Sequence, residues 1–216
     1  MVEAKTIQDS AALKALIESR LKGSVPLTDM SLARLGGITP ESAHLAQRLA
    51  HEKARPAAVL VPLVERPDGL TVLLTQRSAH LKNHAGQISF PGGRLEEQDE
   101  SPLAAALRET EEEIGLERRF VHVVGYLESH LIFTGFHVVP VVAFVEPGFT
   151  LTPDPAEVAD VFEVPLVHLL DAANHGTRSR DVDGGVLHIY NIPYGERVIW
   201  GATAGMVMSL YRLLTQ

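Results

Sequence analysis

Residues Gly92–Leu116 read GGRLEEQDESPLAAALRETEEEIGL: a Gly-Gly turn, an acidic loop and a helix. Ser101 and Pro102 supply a helix cap and a first-turn proline. Gly115 stands where a left-handed C-cap is favoured. Residues 102–114 are therefore expected to be helical, with Glu109, Glu112 and Glu113 on one face through their i, i+3 and i+4 spacing. A solvated acidic face is the ordinary explanation of such a run. Two costs oppose it. Like charges at i, i+4 repel by about 0.2–0.5 kcal/mol. Glu111–Glu113 also occupy the last turn, where the helix dipole disfavours an anion by roughly 0.3–1 kcal/mol each. Stability alone would select Lys there. A hard divalent cation such as Mg²⁺ or Mn²⁺ removes both costs, because carboxylate oxygens are its preferred ligands.

Upstream, AAVLVPLVE and LTVLLTQRS are β-rich runs separated by Arg66-Pro67-Asp68-Gly69, a hairpin signal. QISFPGG reads as a short strand entering the Gly-Gly turn. Downstream, strands are expected near 120–128, 136–145, 186–192 and 197–200, with a short helix and loop around 155–170. A closing helix carries Ala202, Met206, Leu210 and Leu213 at helical spacing. Residues 9–22 read as a helix ending at Gly23. A second helix is expected from Thr39-Pro40 to about Arg55. Residues 1–50 thus read as a helical N-terminal extension to a domain spanning 51–216, and the class is mixed α/β (α+β).

The chain has 216 residues, 45% hydrophobic and 21% charged, enough apolar content for one large domain. Its longest apolar stretches, such as Val138–Val145, have strand length, well short of the roughly 18 residues of a membrane span. The N-terminus MVEAKTIQDS lacks a secretory core. There is no Cys, which excludes disulfides, thiolate zinc sites and thiol nucleophiles and allows a reducing cytoplasm. With 19 basic against 27 acidic residues the net charge is −8, a poor basis for nucleic-acid binding.

The order Gly93, Glu100, seven residues, then Arg108-Glu109-Thr110-x-Glu112-Glu113-x-Gly115-Leu116 resembles the Nudix box of metal-dependent pyrophosphatases. Six residues, not five, separate Gly93 from Glu100, so Asp99 is an alternative for the first acidic position. Thr110 stands where the family generally has an aliphatic residue. The resemblance implies a Nudix fold, a mixed β-sheet sandwiched between helices. It also implies Glu109, Glu112 and Glu113 as metal ligands, joined by the Gly92 carbonyl, for Mg²⁺ or Mn²⁺. Arg108 would orient a carboxylate, and an i, i+4 pair with Glu112 is equally open to it.

A second segment, Leu73-Leu74-Thr75-Gln76-Arg77-Ser78, then Lys82, Gly86 and Phe90-Pro91-Gly92-Gly93, resembles the signature of the coenzyme A pyrophosphatase branch. Lys82 replaces the usual Arg, keeping charge but not the bidentate fork. The similarity extends to Pro140, Glu157-Val158, Phe162, Pro165-Leu166 and Trp200-Gly201-x-Thr203-Ala204-Gly205. Trp200 and Thr203–Gly205 read as helix packing rather than ligand contacts. Arg77, Lys82, His84 and Arg94 form a basic segment beside the acidic face. Arg77, Lys82 and Arg94 are the expected substrate contacts, and plain surface residues near a strand end are the alternative for Arg77 and Lys82. His84 reads equally as a capping or packing residue.

The reaction implied is in-line attack of an activated water on the pyrophosphate of coenzyme A, giving 3′,5′-ADP and 4′-phosphopantetheine. Arg108, Glu112, Glu113 and Glu157 are the expected catalytic set. Glu157 is either ligand or base, or a helix N-terminal residue favoured by the dipole. ADP-ribose or a dinucleoside polyphosphate is the rival substrate, and a silent Nudix-fold binding module is the rival class. Expected partners are a small nucleotide substrate, with no nucleic acid and no membrane; a homodimer is left open.

Overall fold

Two strands meet at the turn Pro67-Asp68, and their register runs from Arg66 opposite Gly69 to Leu63 opposite Val72. A computed structural model describes residues 9–43, 54–81, 83–182 and 185–215. Helix α1 (Ser10–Leu21) comes first, followed by strands β1 (Arg34–Leu35), β2 (Arg55–Arg66), β3 (Gly69–Arg77), β4 (Ile88–Ser89) and β5 (Gly92–Arg94). Helix α2 (Pro102–Ile114) precedes β6 (Val121–Tyr126), β7 (His130–Ile132), β8 (Phe136–Val145) and β9 (Val158–Pro165). The chain closes with α3 (Leu166–Leu170), β10 (Gly176–Val182), β11 (Gly185–Tyr194), β12 (Arg197–Trp200) and α4 (Ala202–Thr215).

Nine strands form one mixed sheet along β1-β7-β8-β2-β3-β4, with β5 pairing β2, β6 pairing β8 and β9 pairing β3. Strands β2 and β8 run parallel over ten register pairs from Arg55–Phe136 to Val64–Val145. Both are almost continuously buried, as a sheet covered on two faces requires. One face carries Ala58, Leu60, Leu73 and Val141, packed against Ala105, Ala106 and Ile114 of α2. The other carries Ala57, Val61, Leu74 and Val142, covered by Leu13, Ile17 and Leu21 of α1 and Met206 and Leu210 of α4. The expected arrangement, a mixed sheet between helices, is what the chain forms.

Three local expectations need correction. Around 155–170 the expected loop is the turn over 155–157 and the expected short helix is α3. The run VADVFEVP between them forms the unexpected strand β9, which pairs antiparallel with β3 from Thr71–Pro165 to Arg77–Val158. Its outward Asp160 and Glu163 hid the strand pattern, and each meets an arginine, Arg197 and Arg66 respectively. Arg55 begins β2 instead of ending a helix. Thr39-Pro40 opens only the 3₁₀ turn Pro40–Ser42, and residues 44–53 of the expected second helix lie outside the described residues. β10, β11 and β12 form a separate three-stranded sheet. Thr203 of α4 donates to the Ile88 carbonyl at 2.9 Å, tying that helix to the strand before Phe90-Pro91-Gly92-Gly93.

Candidate active site

Helix α2 begins and ends as its sequence predicts. The Ser101 hydroxyl accepts from the Ala104 N–H at 3.1 Å, Pro102 follows, and Gly115 takes φ 70° as the left-handed cap. Ala105 and Ala106 are fully buried, and their small side chains bring the helix close to the sheet. Thr110, at the position usually aliphatic in the resembled box, is buried with its hydroxyl donating to the Ala106 carbonyl at 2.6 Å. Its polar atom is thereby satisfied inside the core.

The buried side of α2 carries Glu113, 5% exposed. Its Oε2 accepts from the Gly92 N–H at 3.0 Å, and its Oε1 lies 3.7 Å from Arg77 Nη1. The contact seen at Gly92 is thus made through its N–H. A turn above, the Glu109 carboxylate lies so close to Gly93 that a Cβ there would collide with it. The Gly-Gly turn is therefore a surface on which two carboxylates rest. Glu112 points outward and is exposed.

Arg108 ties these acids together. Its Nε and Nη2 donate to Asp99 at 3.1 and 2.8 Å. Nη1 reaches Glu109 at 3.1 Å and Glu112 at 2.9 Å, and Nη2 reaches the Arg94 carbonyl at 3.2 Å. The i, i+4 pair with Glu112 is formed, and the same guanidinium also contacts the carboxylates of Asp99 and Glu109. The partner on the loop is Asp99, whose side chain is 4% exposed, while Glu100 is exposed. Arg108 holds Asp99 below the usual carboxylate range and is itself raised, chiefly by Asp99.

Glu157 reaches the same neighbourhood from another loop. The Asp154 N–H donates to the Glu113 carbonyl at 2.9 Å, and the Ser78 N–H donates to the Glu157 carbonyl at 2.8 Å. The Ser78 hydroxyl and the His80 ring also contact the Pro155 and Ala156 carbonyls, each at 3.0 Å. Glu157 lies in a turn immediately before β9, so the helix N-terminus alternative does not apply. His84 has φ 58° and contacts the Gln87 side chain at 2.8 Å, a turn-stabilising role. Lys82 lies outside the described residues. The guanidinium of Arg94 is not brought to the carboxylates; it lies over the Phe136 ring at 5.5 Å. Alternation along β5 turns it from the face where Glu109 meets Gly93.

Burial dominates the electrostatics. It pushes Glu113 up to about 7, with Glu157 and Glu109 adding to the rise and Gly92 and Arg77 opposing it. Glu109 is raised for the same first reason, against the pull of Arg108. Among the described residues no three acidic or imidazole groups already converge on one point, since Arg108 and Arg77 stand beside the oxygens. The donor set nevertheless fits a hard divalent cation by chemistry. It consists of carboxylate oxygens, two of them raised chiefly by burial.

A family model described as NUDIX domain matches residues 54–182. The chain belongs to the Nudix family. An uncharacterised Nudix hydrolase, NudL, of Photorhabdus laumondii is 41% identical over 164 residues, covering 72% of this chain and 83% of the relative. NudL of Escherichia coli K12 is 41% identical over 157 residues, covering 72% and 81%. Among solved structures, a Caenorhabditis elegans Ap4A hydrolase complex shares 22% identity, covers 51% of this chain and 80% of that one, and has a TM-score of 0.45. A MutT/nudix family protein of Enterococcus faecalis shares 19% identity, covers 77% and 64%, and has a TM-score of 0.47. Nudix hydrolases use divalent cations such as Mg²⁺ or Mn²⁺, in keeping with this Nudix chain's acidic helix. Among the described residues no helix is long and apolar enough to cross a membrane.

Proposed function

We propose that this Nudix protein hydrolyses the pyrophosphate bond of coenzyme A, releasing 3′,5′-ADP and 4′-phosphopantetheine. One observation carries the reading. The segment resembling the coenzyme A branch delivers Arg77 to within 3.7 Å of buried Glu113, and the Arg77 Nε is buried without a hydrogen-bond partner. An unsatisfied guanidinium donor beside an acidic face suits an outer phosphate oxygen.

Glu109, Glu112 and Glu113, with Gly92 beside them, would hold the divalent cation. When bound, such an ion neutralises charge on the diphosphate and acidifies a water. Arg108, anchored on Asp99, orients Glu109 and Glu112. Arg77 binds outer phosphate oxygens, and Lys82, five positions later in the sequence, adds a second cation for the 3′-phosphate. Arg94 acts through its carbonyl on Arg108 and is a positioning residue. Glu157 makes no ion pair among the described residues and takes the proton of the attacking water. As the new O–P bond forms, the bridging P–O bond breaks and its electron pair leaves with the departing phosphate. Residues 51–216 are assigned to the hydrolase domain, with 1–50 an extension whose helix α1 covers the far face of the sheet.

The test is product analysis of coenzyme A, ADP-ribose, NADH and diadenosine polyphosphates with Mg²⁺ or Mn²⁺. Selective release of 3′,5′-ADP from coenzyme A is expected. Preferential cleavage of another diphosphate would refute the coenzyme A assignment and leave the Nudix assignment standing.

A further inference from the structure

On the sheet face away from α2, a cavity of about 340 Å³ opens between the ends of α1 and α4 and the β6–β7 connection. No residue of α2 or of the Gly-Gly turn lines it. Arg20 of α1, Arg34 of β1 and Arg212 of α4 do, together with Glu128, Ser209 and Tyr126. Arg34 is committed to Glu128, donating through Nη2 at 2.8 Å and through Nε. That pair neutralises itself and leaves the charges of Arg20 and Arg212. On a chain with net charge −8, this is a local concentration of positive charge.

Arg212 is the telling member. Its Nη2 donates to the Ser209 hydroxyl at 2.9 Å and the Tyr190 hydroxyl lies beside it, but its Nε is buried without a partner, and among the described residues it pairs with no carboxylate. Arg34 and Arg212 also form a wall of a second cavity of about 300 Å³ that reaches His130 and Tyr190. Burial lowers Arg212 and Arg34 lowers it further, against the pull of Tyr190 and Glu128, and two like charges share the wall with the one carboxylate of Glu128. A guanidinium kept half-buried, with a free donor and a cationic neighbour, is an arrangement that an oxyanion completes.

We propose that the cavity bounded by Arg20, Arg34 and Arg212 is a second anion site, taking a phosphate or phosphomonoester group, separate from the carboxylates of α2. Its ligand contacts α1 and β1 near the start of the described chain and α4 near its end. Occupancy therefore ties the N-terminal helix to the C-terminal helix and raises the melting temperature.

The test uses the full chain in EDTA, with inorganic phosphate titrated by calorimetry and thermal unfolding against chloride at equal ionic strength. The expected result is saturable binding of one phosphate per chain with a raised Tm. Arg212→Gln is expected to weaken binding by about tenfold or more, the scale of one charge-assisted hydrogen bond. Arg20→Gln, on an exposed side chain that cannot impair folding, is expected to weaken it severalfold. Arg77→Gln, which alters the proposed substrate site, is expected to leave it unchanged. Absence of saturable binding, or binding lost in Arg77→Gln and retained in both Arg20→Gln and Arg212→Gln, would overturn the proposal.

Discussion

Helices α2 and α4 cover opposite faces of the same sheet and treat their sequence in opposite ways. Helix α4 spends nearly its whole surface on packing: Thr203 through Leu210 are all buried. Helix α2 buries one stripe of alanines and Ile114 and then aims Glu109 and Glu113 at a glycine turn, Glu113 against the dipole of the helix's own last turn. Arg108 and Arg77 offset part of that cost, yet Glu113 is still pushed up to about 7. One helix is built for stability. The other carries charges that the proposed divalent cation would compensate.

That contrast can be broken most sharply by paired substitutions. Glu113→Gln is expected to lower kcat by about 10²–10⁴ while Tm holds or rises, because a buried, repelled charge is removed. Leu210→Ala on α4, 2% exposed, is expected to cost about 2–5 kcal/mol of stability with kcat unchanged in the surviving folded protein. Steady-state kinetics and denaturant melts on both variants read the two effects. Reversal of either pattern would erase the distinction. Gly93→Ala sharpens it. The added methyl meets the tip of Glu109, a flexible side chain that can shift at the cost of its contact with Arg108. The expected outcome is a loss of turnover of about tenfold or more, with stability within about 1 kcal/mol of the parent. A larger loss of stability than of activity would show that the turn is structural.

A further effect lies on the α4 side and concerns acid. His130 on β7 is fully buried, with Nε2 3.1 Å from the Ser209 hydroxyl and Nδ1 without a partner. Burial lowers it to about 3, with Arg212, Arg34 and His137 adding to the fall and Glu128 opposing it. Its folded value is thus below the unfolded value of about 6.5, so the unfolded chain takes the proton first. Stability is expected to fall as pH drops from about 6.5 towards 3, by up to about 1.4 kcal/mol per pH unit from this group. Urea melts across that window should show the slope reduced in His130→Gln. An unchanged slope would assign the acid sensitivity elsewhere.

Helix α2 is the most legible part of the chain, because its signals are local. Ser101, Pro102 and Gly115 mark its ends, and the glutamate spacing marks its face. The hairpin at Pro67-Asp68 and strand β8 were legible for the same reason. What escaped depends on partners distant in sequence. Strand β9 carries Asp160 and Glu163 where a plain apolar pattern would have declared it, and only their arginines on other elements explain them. The choice between Asp99 and Glu100 rests on which side chain the loop turns inward to Arg108. The side of the sheet taken by Arg94 follows from the pleat of β5. The contact of Arg77 with Glu113 bridges 36 positions, and spacing within either motif cannot foretell it.

The central claim is that the acidic face of α2 is a cation site. Its most direct measurement is Mn²⁺ binding, followed by electron paramagnetic resonance, to the parent chain and to the Glu109→Gln/Glu113→Gln double variant. The account predicts saturable binding by the parent and at least about a tenfold weakening in the variant, which should remain folded by circular dichroism. Equal Mn²⁺ affinity in the two folded proteins would contradict it.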